Sequence, residues 1–170
     1  MRERNVLVVA ASDHGSTAEI ATAIGEALKE PGLAVTVAPV EGVQSVEGYD
    51  AFVMGSAVYA GHWLKRGRDF VQHHAHALSS RPVWLFSSGP IGNPPTPKEA
   101  SVDVLPLATG VQARSHRVFG GKLDRSTLGF AERAIATALR APEGDFRDFA
   151  EIRGWALGIA ESLHHQEVAR

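Results

Sequence analysis

Cysteine is absent from the 170 residues. That excludes disulfides, thiolate nucleophiles and metal or iron–sulfur centres held by Cys, so any redox chemistry must be borrowed from a bound group. An excess of one charge is missing as well: 17 Lys and Arg stand against 19 Asp and Glu, a formal net charge of −2. Such a balance gives a polyanion no electrostatic foothold, and nucleic acid is not an expected partner. Long apolar runs are also lacking. No segment approaches the ~20 apolar residues that span a bilayer, and the run Val6–Ala10 is too short for a signal-peptide core and leads into Ser12-Asp13-His14. The expectation is a cytoplasmic protein with at most peripheral membrane contact. No metal is expected either, because His73, His74 and His76 do not converge on one point when spaced along a helix.

What is present is an alternation of short apolar runs with longer helical patterns, without internal repeats or low-complexity tracts. Strands are expected at Val6–Ala10, Ala34–Val40, Ala51–Gly55, Val83–Ser87 and His116–Phe119. The runs VLVVA, AFVMG and VWLFS are apolar nearly throughout, which is how strands covered on both faces of a parallel sheet read. Helices are expected over Thr17–Glu30, with Ile20, Ile24, Ala27 and Leu28 on one stripe, over Leu64–Leu78, and over Phe146–Leu163, with Ile152, Trp155, Ile159 and Leu163 inward. Gly89–Ser101 is a loop by its Gly and Pro content, and an additional helix is expected over Ser126–Arg140. The pattern predicts a single domain over residues 1–170, an α/β fold built as a three-layer αβα sandwich around a five-stranded parallel sheet.

The stretch ASDHGSTAEIA, Ala11–Ala21, leaves the first strand through small, hydroxylated residues and enters a helix at once. In such sheets ligands bind beyond the carboxyl ends of the strands, where strand order reverses. Gly15 removes side-chain bulk, Ser12, Ser16 and Thr17 offer hydroxyls, and the unpaired amides of a helix start carry partial positive charge, which suits a phosphate. The competing explanation is a capping box, Ser16-x-x-Glu19, which needs no ligand. Neither the dinucleotide pattern G-x-G-x-x-G nor the nucleotide loop G-x-x-x-x-G-K-[ST] is present, which leaves a monophosphate bound without a lysine.

Four segments in order, VLVVAASDHGSTAEIA, YDAFVMGSAVYAGHWLK, RPVWLFSSGP and HRVFGGKLD, resemble the flavodoxin-like superfamily, and within it the branch containing menaquinone-dependent protoporphyrinogen oxidase. The resemblance extends over nearly the whole chain and includes the helix after strand five. It implies strand order 2-1-3-4-5 and flavin mononucleotide (FMN) held by three loops. Ser12, His14, Gly15, Ser16 and Thr17 match the phosphate loop. Ser56, Ala57, Val58, Tyr59, Ala60 and Gly61 match the loop beside the flavin ring, and Ser87, Ser88, Gly89 and Pro90 the third loop. The sequence departs from the pattern at Ala10, where relatives often carry an aromatic residue, and at Asp13, where they often carry a basic one. A carboxylate there repels a dianionic phosphate unless it points to water.

Because a flavin carries the electrons, the chain is expected to supply position and hydrogen bonds, with no dedicated catalytic residues. Tyr59, ahead of Trp63, is placed to flank the ring, with core packing as the alternative for both; Arg66 and Arg68 read as a solvated helix face. The segment Lys122–Arg140 carries four basic and two acidic residues, and is expected to cover the core rather than touch a membrane or lipophilic substrate. The resemblance implies an FMN-dependent oxidoreductase acting on a small redox substrate such as a porphyrinogen, with a quinone or protein acceptor. Two alternatives stand beside it: an electron carrier without its own substrate, which the near-neutral charge disfavours, and a flavin-free interaction module.

Overall fold

The structure is a computed structural model that describes residues 3–59, 61–89, 104–123, 126, 129–138 and 144–168. The chain runs β1 (Asn5–Ala11), α1 (Ser16–Lys29), β2 (Ala34–Pro39), a short 3-10 turn (Val40–Gly42), β3 (Ala51–Tyr59), β4 (His62–Trp63), α2 (Lys65–His73), α3 (Ala75–Leu78), β5 (Val83–Ser88), α4 (Val104–Val111), β6 (Ser115–Phe119), β7 (Lys122–Leu123), α5 (Phe130–Ala138), β8 (Gly144–Asp145) and α6 (Phe149–Val168).

The long strands pair in parallel in the order β2-β1-β3-β5-β6, the expected 2-1-3-4-5, and β4 folds back antiparallel on β3. Successive residues of β1 feed opposite layers because side chains alternate along a strand. Val6, Val8 and Ala10 join Ile20, Ile24 and Leu28 of α1 and Ile152, Ile159 and Leu163 of α6 on one face. Leu7, Val9 and Ala11 join Phe70 and Val71 of α2, Leu78 of α3 and Leu107 of α4 on the other. Both faces of β1, β3 and β5 are thereby covered, which is why these strands lack polar alternation.

Several boundaries differ from the sequence reading. The strand expected over Ala51–Gly55 runs on to Tyr59, so Ser56–Tyr59 are strand rather than loop. The helix expected over Leu64–Leu78 is two helices, broken at His74 (φ −98°, ψ 7°), whose ring packs on Phe70 with centroids 4.6 Å apart. The last helix starts at Phe149 rather than Phe146, because Asp148 caps it: its Oδ1 accepts from the amides of Ala150 (3.0 Å) and Glu151 (3.2 Å). Phe146 instead packs against the Gly120–Gly121 link between β6 and β7, where its amide donates to the Gly121 carbonyl (2.9 Å). The additional helix after the fifth long strand is present as α5, shorter than expected; Leu128, Leu139 and Arg140 lie outside the described residues. The two-residue ribbons β4 and β7–β8 went unforeseen.

Candidate functional site

Sheet register sets Ala11, Ser56, Ser87 and Val118 in one row, each paired with the next. The loops after β1, β3 and β5 therefore leave the carboxyl edge of the sheet side by side. β2 and β3 flank β1 on opposite sides, so the edge includes the place where the connections diverge, which is where sheets of this kind bind ligands. The three groups of residues picked out in the sequence thus come together. Ser12, His14, Gly15, Ser16 and Thr17 form the first loop and helix start; Ala57, Val58 and Tyr59 are the last residues of β3 and lead into the turn at Gly61, and Ser88 ends β5 with Gly89 following it. Ser56 and Ser87 are fully buried in the row itself. Ala60 and Pro90 lie outside the described residues.

The first loop is closed by its own side chain, with the Gly15 amide donating to Ser12 Oγ (3.1 Å). Gly15 then caps α1 in the left-handed region (φ 85°), and a side chain built there would meet nothing within 4 Å. The first intrahelical bond runs from the Glu19 amide to the Gly15 carbonyl (3.0 Å), so the amides of Ser16, Thr17 and Ala18 precede the helical ladder. The competing explanation, a Ser16–Glu19 capping box, does not form: the cap is Gly15, no side chain bonds it, and Glu19 is drawn to Arg147 (3.0 Å). Ser16 Oγ is buried without a hydrogen-bond partner. A buried, unsatisfied hydroxyl beside three unpaired amides at a positive helix end fits a small oxyanion.

Two arginines grip this loop from outside, and neither was foreseen as part of the site. Arg66 donates from Nη2 to the Ser12 carbonyl (2.7 Å) and pairs with Asp13 Oδ1 (2.7 Å) and with Glu41. It reaches them because Gly67 lets α2 settle on the strand ends, where a Cβ would stand 3.1 Å from Ala11 Cβ and 3.3 Å from Ser56. Arg66 is thus no solvated helix face. Burial pulls its guanidinium down, yet the Asp13 and Glu41 carboxylates outweigh this and raise it, so it stays charged. Asp13 has its charge compensated by a cation rather than aimed at the loop. Arg147, with only 4% of its side chain exposed, donates to the Ser16 carbonyl (3.2 Å) and to Glu19, and forks onto both carboxylate oxygens of Asp145 (2.8 Å each). That pairing holds the Asp145 carboxyl down at about 2. Arg66 and Arg147 come from 54 and 131 positions away from the loop residues they bind, and no local pattern announces them.

The second loop turns back through Gly61 (φ 82°) into β4. Ser56 Oγ holds this turn by accepting from the Leu64 amide (3.0 Å). Trp63 is core: it is 2% exposed and its indole N–H donates to Ser87 Oγ (2.8 Å), which also contacts His116 Nε2 (2.8 Å). Burial lowers the pKa of His116, so its neutral form is favoured. Tyr59 remains half-buried at the loop, and its hydroxyl donates to Glu132 Oε2 (2.8 Å). The same oxygen lies 2.6 Å from His14 Nε2. Glu132, from α5, was also missed. Burial first, then the hydrogen bond to Glu132, pushes the Tyr59 phenol up, and bonding to His14 and then Tyr59 holds the Glu132 carboxyl down.

Comparison with known proteins bears on this edge of the sheet. A family model described as flavodoxin domain matches residues 7–149. Protoporphyrinogen IX dehydrogenase [quinone] of Escherichia coli K12 is 32% identical over 91 residues, 52% of this chain and 50% of that protein. The chain thus aligns with about half the length of the curated relatives it matches. Among solved structures, a flavodoxin from the Archaea superposes with a TM-score of 0.64 at 18% identity, covering 95% of this chain and 99% of that one. Rubredoxin oxygen:oxidoreductase of Desulfovibrio gigas gives 0.65 at 14% identity, covering 96% and 37%. At such identities the superpositions establish a flavodoxin-like fold. Among the described residues, no helix is long and apolar enough to cross a membrane.

Proposed function

Because this chain belongs to the flavodoxin domain family, we propose that it is an FMN-dependent oxidoreductase whose carboxyl-edge crevice holds the cofactor through three loops. The observation that carries the proposal is the start of α1, where three free amides converge beside the orphaned Ser16 hydroxyl. In this reading Ser12, His14, Gly15, Ser16 and Thr17 hold the phosphate; Ser56, Ala57, Val58, Tyr59, Ala60 and Gly61 border the ring; Ser87, Ser88, Gly89 and Pro90 close the third side. Ser56 and Ser87 contribute by fixing the loops, since their hydroxyls are engaged inside the protein. When bound, the flavin supplies a two-electron acceptor and donor. The chain's task is to orient it. Tyr59 presents an aromatic ring at the second loop, and the left-handed Gly61 keeps that turn free of side-chain bulk.

The 32% identity to the quinone-linked dehydrogenase supports a porphyrinogen-type reductant and a quinone or protein acceptor. A dedicated electron carrier would be expected to show the strong acidity that steers shuttles to basic partners, and a net charge of −2 lacks it. The proposal is tested in two stages. Titration of flavin-free protein with FMN should give saturable binding that quenches flavin fluorescence; no binding would remove the cofactor assignment. Anaerobic mixing of the loaded protein with reduced porphyrinogen should bleach the flavin, and a menaquinone analogue should restore it. Binding without bleaching would remove the porphyrinogen assignment while leaving a carrier.

A further inference from the structure

The residue that joins the first two loops belongs to neither. Glu132 lies on α5, 118 positions from His14 and 73 from Tyr59, and one oxygen, Oε2, meets both partners at 2.6 and 2.8 Å. The other described side chains of α5 are exposed. Phe130 is 92% exposed, Ala131, Arg133, Ala134 and Thr137 are exposed as well, and Glu132 is the exception among the described side chains of that helix. Glu132 thus joins α5 to both loops at once, through a single carboxylate oxygen. The fastening is charged on the acceptor side, and Asp13, near enough to raise the Tyr59 phenol, is itself engaged by Arg66 and unavailable as a rival partner. Hydrogen bonds to a carboxylate are among the stronger single contacts, so the fastening can order both loops.

We propose that Glu132 is a positioning residue of the flavin site, clasping His14 of the phosphate loop to Tyr59 of the ring loop and thereby drawing α5 across the crevice. This rests on the FMN reading above only for what the clasp positions; its contacts are between side chains of this chain alone. Without it, Tyr59 loses the partner that fixes its hydroxyl and the two loops move independently. With it, bound flavin is retained longer and the tyrosine ring is held in one orientation.

The experiment has a flavin-free arm and a flavin-bound arm. In flavin-free protein, amide hydrogen exchange of residues 130–138 is compared among wild type, Glu132→Gln, Glu132→Ala and Tyr59→Phe. The clasp predicts exchange at least about threefold faster in Glu132→Ala and Tyr59→Phe, with the core amides of α1 unchanged. Equal rates in that segment would overturn it. In FMN-loaded protein, Glu132→Ala is expected to release flavin about tenfold faster, and Glu132→Gln, which keeps a carbonyl acceptor without the charge, to fall between it and wild type. The double variant with Tyr59→Phe should release flavin no faster than Glu132→Ala alone, because both remove one shared contact. Multiplying effects would show that the two side chains act separately and overturn the clasp. Failure of wild-type protein to bind FMN would refute the function proposed above, while the exchange arm would still decide the clasp. Should Glu132→Ala not fold, the isosteric Glu132→Gln carries both arms.

Discussion

At the scale of single residues, Gly15 and Arg147 separate conformation from charge at the same loop. Gly15 occupies the left-handed region with open space where a side chain would project, so any replacement costs about 1–2 kcal/mol of backbone strain whatever its size. Gly15→Ala and Gly15→Glu should therefore lose similar thermal stability, while the glutamate variant alone abolishes FMN retention by facing the phosphate with a carboxylate. Equal flavin binding by the two would show that no anion sits there. Arg147 is the opposite case, a buried cation whose removal strands Asp145, Glu19 and the Ser16 carbonyl. Arg147→Gln should cost about 1–2 kcal/mol in a denaturant titration, since Glu19 and Asp145 stay accessible to water, and Arg147→Lys should not fully recover it, because an ammonium cannot fork onto Asp145. A pH dependence follows. Asp145 has its carboxyl held below the usual value of 3.8, at about 2, chiefly by hydrogen bonding to Arg147. A depressed carboxyl stabilises the fold above its unfolded value, and that stability is lost as pH falls from about 4 towards 2. Wild type should lose melting temperature more steeply than Arg147→Gln across that window, and parallel curves would contradict the pairing.

At the scale of elements, what the sequence made legible was whatever is written locally. VLVVA, AFVMG and VWLFS announce strands buried on both faces, and the apolar stripes of α1 and α6 fall on the positions that the structure buries. The Asp148 cap is also a local signal, and it corrects the start of α6 by three residues once the acid is read as a cap. Pairings made across the chain were not legible. Ribbon β7–β8 is two residues wide and carries no alternation to read, yet it sets Arg147 under α1. Ser16-x-x-Glu19 matches a capping box locally and fails because Arg147 claims the acid. The packing of Phe146 makes a prediction about Gly120. A Cβ there would overlap the Phe146 carbonyl, a backbone group that cannot swing aside as a side chain can. Gly120→Ala should push the 146–147 segment off the Gly120–Gly121 link, costing about 2–3 kcal/mol, and it should weaken FMN binding from a distance by unhooking Arg147 from Ser16. Stability lost without any change in flavin affinity would show that Arg147 does not act on the loop through this packing.

At the scale of the whole molecule, the proposed oxidoreductase could meet a redox partner by long-range attraction or by fit. Five carboxylates, those of Asp13, Glu19, Glu41, Glu132 and Asp145, are each within bonding reach of Arg66, Arg147 or His14. The charges therefore act as local fasteners that hold loops in place, and with a net charge of −2 little field is left to act at a distance. A shuttle that relies on steering loses association rate steeply with salt, because ions screen charges separated by more than about 10 Å at 0.1 M. An oxidoreductase that passes electrons to a neutral quinone has no such dependence. Reoxidation of the reduced, FMN-loaded protein by an uncharged menaquinone analogue should thus change by less than about twofold between roughly 0.02 and 0.2 M salt. The control is a basic acceptor protein, for which the same salt step should lower the rate by more than about tenfold only if docking is electrostatic. A salt-insensitive quinone reaction together with a slow, salt-insensitive protein reaction supports the substrate-linked oxidoreductase. A fast protein reaction that collapses with salt would reverse the ranking and make this molecule a carrier whose fasteners also serve as its docking charges.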